Sequence, residues 1–389
     1  MERLQAHFDA LLRDTPTGFH RYMFDRIDWD SRLTGLTGPR GVGKTTLMLQ
    51  YAKEKLERNT TLFVNADDLY FSSHHLVDLA DEFTRKGGKC LIIDEIHKYQ
   101  EWARELKLMY DYHSGLRVIF TGSSILDIHK GAADLSRRAL LYSMQGLSFR
   151  EYLRMFHGIG LPTCTLDDLL QHRVELPPHF RPYAYFSDYL EQGYYPFAQE
   201  GQFGIRLAQV INNTLETDIP QYAEISVATS RKLKRLLTVI AQSVPFKPNM
   251  SSIAATIGVS RNSLADYFLL LEEAGLIGQL RDDTGGIRGL GKVDKVYLDN
   301  PNLIYALAQQ TAETGNVRET FFFNQMRVNQ DIITSPASDF QIGPYTFEVG
   351  GKNKKQKQLQ GLEHAFVVKD DIETGYQNVI PLWQFGLNY

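Results

Sequence analysis

Cysteine is scarce: the 389 residues contain two, Cys90 and Cys164. Two thiols, one of them inside an apolar run, cannot frame a disulfide-built fold, and the usage fits a reducing, cytoplasmic setting. No Cys/His grouping has the spacing of a zinc site. Long apolar runs are also missing. No stretch approaches the roughly 20 residues that cross a bilayer, and Met1 to Asp30 mixes charge with apolar side chains instead of forming the core of a signal peptide. A membrane partner is not expected. Nor is there a surplus of positive charge, since 42 Lys and Arg against 46 Asp and Glu give a formal net charge of −4. Any polyanion must therefore meet a local patch. What the chain does have is length, and 389 residues exceed what one core holds, so two or three domains are expected.

The most informative stretch is Gly38-Pro39-Arg40-Gly41-Val42-Gly43-Lys44-Thr45, which fits G-x-x-x-x-G-K-[ST] between a strand pattern at Arg32 to Thr37 and a helix pattern at Thr45 to Leu56. A phosphate chain needs backbone donors converging on it, and glycine permits the tight path that aims them inward. Lys44 is expected to reach the outer phosphates and the Thr45 hydroxyl to ligate Mg2+, with the following helix presenting its positive end. Thr46 is expected to cap the same turn.

A second segment, Cys90-Leu91-Ile92-Ile93-Asp94-Glu95, reads as a buried parallel strand that delivers two acids to the C-terminal edge of a sheet. Ligands bind at that edge. Asp94 is expected to hold Mg2+ and Glu95 to polarise the attacking water as a general base.

From Arg32 to about Met144, strand and helix patterns alternate. Strands are expected at Arg32 to Thr37, Thr61 to Asn65, Cys90 to Asp94, Arg117 to Thr121 and Leu140 to Met144. Helices are expected near Thr45 to Leu56, His74 to Lys86 and Trp102 to His113. The alternation predicts an α/β fold with a parallel sheet covered on both faces. A strand between the loop strand and the acidic strand, with Glu95 beside Asp94, fits the P-loop NTPases that carry their own catalytic glutamate. The guanine-reading Asn/Thr-Lys-x-Asp tetrapeptide is absent, which favours ATP.

Several motifs, taken in order, resemble one prokaryotic group of AAA+ ATPases with a C-terminal domain of unknown function. They are the phosphate loop, Ile92-Ile93-Asp94-Glu95-Ile96-His97, Phe120-Thr121-Gly122-Ser123-Ser124, Ser136-Arg137-Arg138, Gly146-Leu147-Ser148-Phe149-Arg150-Glu151-Tyr152-Leu153 and Phe347-Glu348-Val349-Gly350-Gly351-Lys352. The resemblance implies a γ-phosphate sensor at Ser123, with Ser124 second, and an arginine acting across a subunit interface at Arg137 or Arg138 in a homo-oligomer. Surface ion pairs are the other reading of both arginines. It also implies a division into a P-loop AAA+ core over 1–155, a helical lid over 156–228, a winged helix over 229–300 and a small α/β endonuclease-like domain over 301–389. No substrate follows from it.

Leu161 to Gln202 is rich in proline and aromatics, among them Tyr183, Tyr185, Phe186, Tyr189, Tyr194, Tyr195 and Phe197. That suits interdomain packing, with base stacking as the alternative. Arg206 to Glu224 reads as a helix. Ser251 to Leu264 has the helix, glycine turn and capped second helix of a helix-turn-helix, and Leu276-Ile277 starts a wing strand. Arg261, Asn262 and Ser263 would lead into a DNA groove, whereas Asp266, Glu272 and Glu273, read as sharing the exposed face, would repel phosphates. DNA binding and packing both remain open.

Glu319, Asp339 and Glu348 are spaced like the metal-gathering carboxylates of endonucleases, but the position two after the last acid is Gly350, and Lys352 is the nearest substitute. The run Lys352 to Lys357 would grip phosphates without reading sequence. Taken together, the sequence predicts an ATP-binding AAA+ protein that hydrolyses ATP with Mg2+ and acts on a partner, DNA among the candidates. The alternatives are a slow nucleotide-dependent regulatory switch, an ATPase-coupled nuclease and, last, a P-loop kinase.

Overall fold

Five strands form where the apolar runs place them: β1 Leu33–Thr37, β2 Thr61–Asn65, β3 Cys90–Asp94, β4 Arg117–Thr121 and β5 Leu140–Ser143. The computed structural model describes residues 1–122, 135, 137–223, 225–242, 249–282, 292–308, 312–355 and 359–389. Contacts divide the chain into two units, Met1–Gly146 and Leu147–Tyr389.

In the first unit the strand order is β2-β3-β4-β1-β5, with every pair parallel. Strands β1 and β3 are buried along their whole length, which is why they read as apolar runs rather than alternating patterns. The helices are α1 Glu2–Asp14, α2 Lys44–Lys55, α3 Leu76–Arg85 and α4 Trp102–Tyr112. Leu4 of α1, Leu79 and Phe83 of α3 and Leu106 and Met109 of α4 share a core with Leu62, Leu91 and Phe120 of the sheet. The chain goes from β1 to β2 at one edge, then returns past β1 to β5 at the other, so the order reverses around β1. Open α/β sheets bind ligands at such a point, beyond the carboxyl ends of the strands.

Leu147–Tyr389 begins with the helix Phe149–His157, started by a capping box between Ser148 and Glu151. Phe186, Tyr189, Tyr194 and Tyr195 are at most 2% exposed, and Phe149, Phe186, Tyr189 and Phe321 pack edge to face or tilted with centroids 5.0–6.0 Å apart. These rings are core, which removes base stacking as their role. The helix expected over Arg206 to Glu224 runs Phe203–Asn213, widens by one turn and continues as Ile219–Ala223.

Helices Val227–Ala241, Met250–Ile257 and Arg261–Glu273 follow, then an antiparallel hairpin of β6 Ile277–Arg281 and β7 Val293–Leu298. Helices Pro301–Ala308 and Thr314–Met326 lead into a second sheet of β8 Ile332–Thr334, β9 Phe340–Ile342, β10 Tyr345–Gly350, β11 Ala365–Lys369 and β12 Val379–Pro381. Its order is β12-β11-β10-β9-β8, parallel from β10 to β12 and antiparallel from β8 to β10. No described helix is long and apolar enough to cross a membrane.

Candidate functional site

Strand β1 ends at Thr37, and the chain turns through Gly38, Pro39, Arg40, Gly41, Val42 and Gly43 before α2 starts at Lys44. Gly38 lies at φ 144° and Gly43 at φ 97°, where any other residue is strained. Space is short as well: a Cβ on Gly38 would collide with the Met144 carbonyl. Gly43 is the N-cap of α2 and no side chain caps that end. Thr46, expected to do so, stays exposed on the first turn. The first amides of α2 therefore face the loop unclaimed by a side-chain cap, which suits an anion.

Lys44 is 5% exposed, and its Nζ donates to the Gly38 carbonyl at 2.9 Å and the Pro39 carbonyl at 2.8 Å. The ammonium thus lies over the loop that would carry phosphate. The Thr45 hydroxyl donates to Asp94 Oδ2 at 2.7 Å. Asp94, at the end of β3, also accepts from the Thr121 hydroxyl at the end of β4. Burial pushes the Asp94 carboxyl above its ordinary range, opposed by hydrogen bonds from Thr121 and Thr45.

Glu95 is the first residue beyond β3 and lies at φ 52°, in the left-handed region. Such a conformation costs about 1–3 kcal/mol and tends to collect at functional positions. Its N–H donates to Thr121 Oγ1 at 3.3 Å, and its carboxylate Oε2 sits 3.6 Å from Nε2 of His97, whose side chain is 0% exposed. One hydroxyl, on Thr121, therefore touches the carboxylate of Asp94 and the backbone of Glu95 together. Thr121 and His97 stand inside the motifs quoted above, but no sequence pattern assigns either a role. Parallel pairing of Ile93 with Phe120 sets Asp94 beside Thr121, so a hydroxyl ending the strand next to the acid strand was the available signal.

The loop residues, Lys44, Thr45, Asp94 and Glu95 come together at one sheet edge. Arg138 is held elsewhere: its guanidinium grips Asp111 with bonds of 3.0 and 3.1 Å and lies 5.9 Å from the centre of the Tyr110 ring on α4. Arg137 is exposed. Ser123 and Ser124 lie outside the described residues. Among the described residues, no group of three or more His, Cys, Asp or Glu side chains is arranged to hold a metal ion.

The three carboxylates of the C-terminal segment have their own cations. Lys295 on β7 sits 3.4 Å from Glu319 and 3.3 Å from Asp339, and the Tyr297 hydroxyl donates to Glu319 at 2.8 Å. Glu348 accepts from the Ser338 hydroxyl and pairs with Lys354 at 2.5 Å. The lysine that reaches Glu348 is thus Lys354 rather than Lys352, because its stem fills the space that a Cβ on Gly350 would need. Gln356, Lys357 and Gln358 lie outside the described residues.

The acids on helix Arg261–Glu273 also differ from expectation. Glu272 turns toward the hairpin, bonding Arg281 at 2.7 Å and the Gln279 amide group at 2.7 Å, and burial pushes Glu273 upward. Asp266 is exposed as expected, and so are Arg261 and Asn262. Only one of the three acids therefore shares the open face, because the end of the helix packs on β6.

Residues 30–153 match the model of an AAA domain, and residues 183–314 match that of a domain of unknown function (DUF8612). No curated protein matches the chain. Among solved structures, the Walker-type ATPase PABY2304 of Pyrococcus abyssi is similar at 14% identity and TM-score 0.43, over 77% of this chain and 99% of that one. A structure of C. elegans PCH-2 is similar at 17% identity and TM-score 0.27, over 70% and 66%. A structure from work on katanin self-assembly is similar at 15% identity and TM-score 0.26, over 41% and 57%. Residues 30–153, most of them in the first unit, are thus similar to an AAA domain, and the sheet of that unit is an open parallel α/β sheet.

Proposed function

We propose that the protein binds and hydrolyses ATP with Mg2+. The observation that carries this is the 2.7 Å hydrogen bond from Thr45 to Asp94, which joins the end of the phosphate loop to the acid strand. That hydroxyl and carboxylate are hard oxygen donors, and Mg2+ takes one or two protein ligands of this kind with phosphate oxygens and water. When bound, the ion would neutralise charge on the phosphates.

The chain's own residues would act as follows. Gly38, Pro39, Arg40, Gly41, Val42, Gly43, Lys44, Thr45 and Thr46 would surround the phosphates, with Lys44 exchanging its carbonyl partners for phosphate oxygens. Thr45 and Asp94 would hold the ion. Glu95 would take the proton of the attacking water, and Thr121 would fix both acids in place. Ser123 remains the proposed γ-phosphate sensor. Arg137, being exposed, is the better proposal for an arginine offered to a neighbouring copy, since Arg138 would first have to leave Asp111. Steady-state hydrolysis by wild type and by Glu95→Gln tests the reading: the variant should keep nucleotide affinity and lose turnover.

We read the three helices and hairpin over 229–300 as a winged helix whose last helix opens on two exposed residues, Arg261 and Asn262, that suit DNA; the inward turn of Glu272 supports this. The segment 156–228 would form a lid. For 301–389 we favour a structural endonuclease-like domain, because Glu319 and Asp339 already share the single Lys295 ammonium. A second reading, a slow nucleotide-dependent switch, is supported by the strained Glu95 held beside His97.

A further inference from the structure

Arg21 is 5% exposed and stands at the start of a short turn, Tyr22–Asp25, before the sheet begins. Its Nη1 donates to the carbonyl of Val42, inside the phosphate loop. Its Nη2 donates to the carbonyls of Gln145 at 2.7 Å and Gly146 at 2.8 Å. Gly146 is the last residue of the first unit. One buried guanidinium therefore spans the phosphate loop and the segment by which the chain leaves the unit.

That segment meets the loop at its other end too. Met144 donates its N–H to the Thr37 carbonyl at 2.9 Å, and its own carbonyl lies against the α-carbon of Gly38. Gln145 N–H reaches the Tyr22 hydroxyl at 3.4 Å. The arm that carries Arg21 is in turn fixed to α2. Gln50 donates to the Pro16 and Phe19 carbonyls at 2.8 Å each, and Lys53 donates to the Thr15 carbonyl at 2.7 Å. Val42 is 0% exposed between Gly41 at φ 84° and Gly43 at φ 97°, so its side chain is buried within the loop. A shift of the loop must move its carbonyl, and with it the guanidinium. Lysine would not serve, because its point charge cannot hold three carbonyls in the fixed fork of an arginine.

We propose that Arg21 is a positioning residue that couples the phosphate loop to the exit segment Met144–Gly146, so that nucleotide bound at the loop orders the chain where it leaves the ATPase unit. This rests on the reading of the loop as a nucleotide site. Two sites linked through one bistable contact typically share a coupling worth 5- to 150-fold.

Hydrogen exchange read by mass spectrometry on the full-length protein, with and without Mg2+ and the slowly hydrolysed analogue ATPγS, tests it. In wild type, peptides over 38–46 and over 142–148 should both slow, the latter by about tenfold. In Arg21→Lys, the 38–46 peptides should still slow while 142–148 becomes indifferent to nucleotide, and affinity for the analogue should fall by about tenfold. Arg21→Met should behave as Arg21→Lys or worse. If it fails to fold, the wild-type and lysine arms decide. Slowing at 38–46 with no response at 142–148 in wild type overturns the coupling, as does an Arg21→Lys protein that keeps both the response and the affinity. No response at either stretch overturns the nucleotide site itself, and this inference with it.

Discussion

Thr45 Oγ1 lies 2.7 Å from Asp94 Oδ2, a hydrogen bond between the first turn of α2 and the end of β3. It holds a carboxylate that burial drives toward the neutral form. A carboxyl raised in this way contributes stability below its ordinary value and loses it as pH rises through the raised one. At pH 8, Asp94→Asn should therefore leave the melting temperature of the nucleotide-free protein unchanged or raise it. The same substitution should abolish the stabilisation that Mg2+ and ATP confer together. A melting series with and without ligand checks both, and an apo protein destabilised by Asp94→Asn would contradict the account.

Glu95 is assigned the water proton on its position next to Asp94 and on its strained backbone. Removing a positioned general base typically costs 10²–10⁴ in rate. Turnover of Glu95→Gln should fall by that order while ATP affinity stays within about threefold, a change worth less than 1 kcal/mol. His97→Asn should lower kcat more than it changes KM, because it alters what the carboxylate rests against.

Arg137 and Arg138 are separated by their surroundings. Arg138→Ala breaks a partly exposed pair with Asp111 and should cost no more than about 1 kcal/mol, with little effect on turnover. Arg137→Ala should lower the rate per subunit at high protein concentration, where a trans-acting arginine is worth up to 10³–10⁵. Mixing Arg137→Ala with Lys44→Ala should recover activity, since each supplies what the other lacks. Two inactive proteins that stay inactive when mixed would remove Arg137 from the site.

Lys295 is raised: burial pulls its ammonium down, but Glu319 and Asp339 outweigh that pull. Its contribution is then present at neutral pH and lost only above the ordinary lysine range. Lys295→Met leaves two part-buried carboxylates facing each other and should cost up to about 3 kcal/mol at pH 8, the low end of what breaking a fully buried pair costs. Glu319 is raised by burial and by Asp339, so protonation at pH 5 should recover part of the loss. Denaturant unfolding at the two pH values measures it. A pH-independent cost would mean that the lysine acts through packing alone.

The first unit was largely legible because parallel strands covered on both faces are written as apolar runs, and Cys90 to Ile93 is one of them. The loop residues, Lys44, Thr45, Asp94 and Glu95 were legible because phosphate chemistry demands fixed residue types at fixed spacing. Thr121, His97 and Arg21 were not, since each acts through a contact made only by the fold, and no local pattern marks a threonine that ends a strand or an arginine before a turn. Thr46 was misread as a cap because capping depends on which residue leaves the helix, and here that is Gly43. Likewise, Glu272 looked exposed on its helix until β6 supplied Arg281, and Lys352 looked nearer to Glu348 in sequence than the chain path makes it.

Calorimetric titration of ATP with Mg2+ into wild type and Lys44→Ala, paired with phosphate release from the same samples, tests the central claim most directly. Saturable binding and release by wild type, both lost in Lys44→Ala, is the predicted result. Wild-type protein that takes up no ATP, or a Lys44→Ala protein that binds and hydrolyses it equally well, would contradict it.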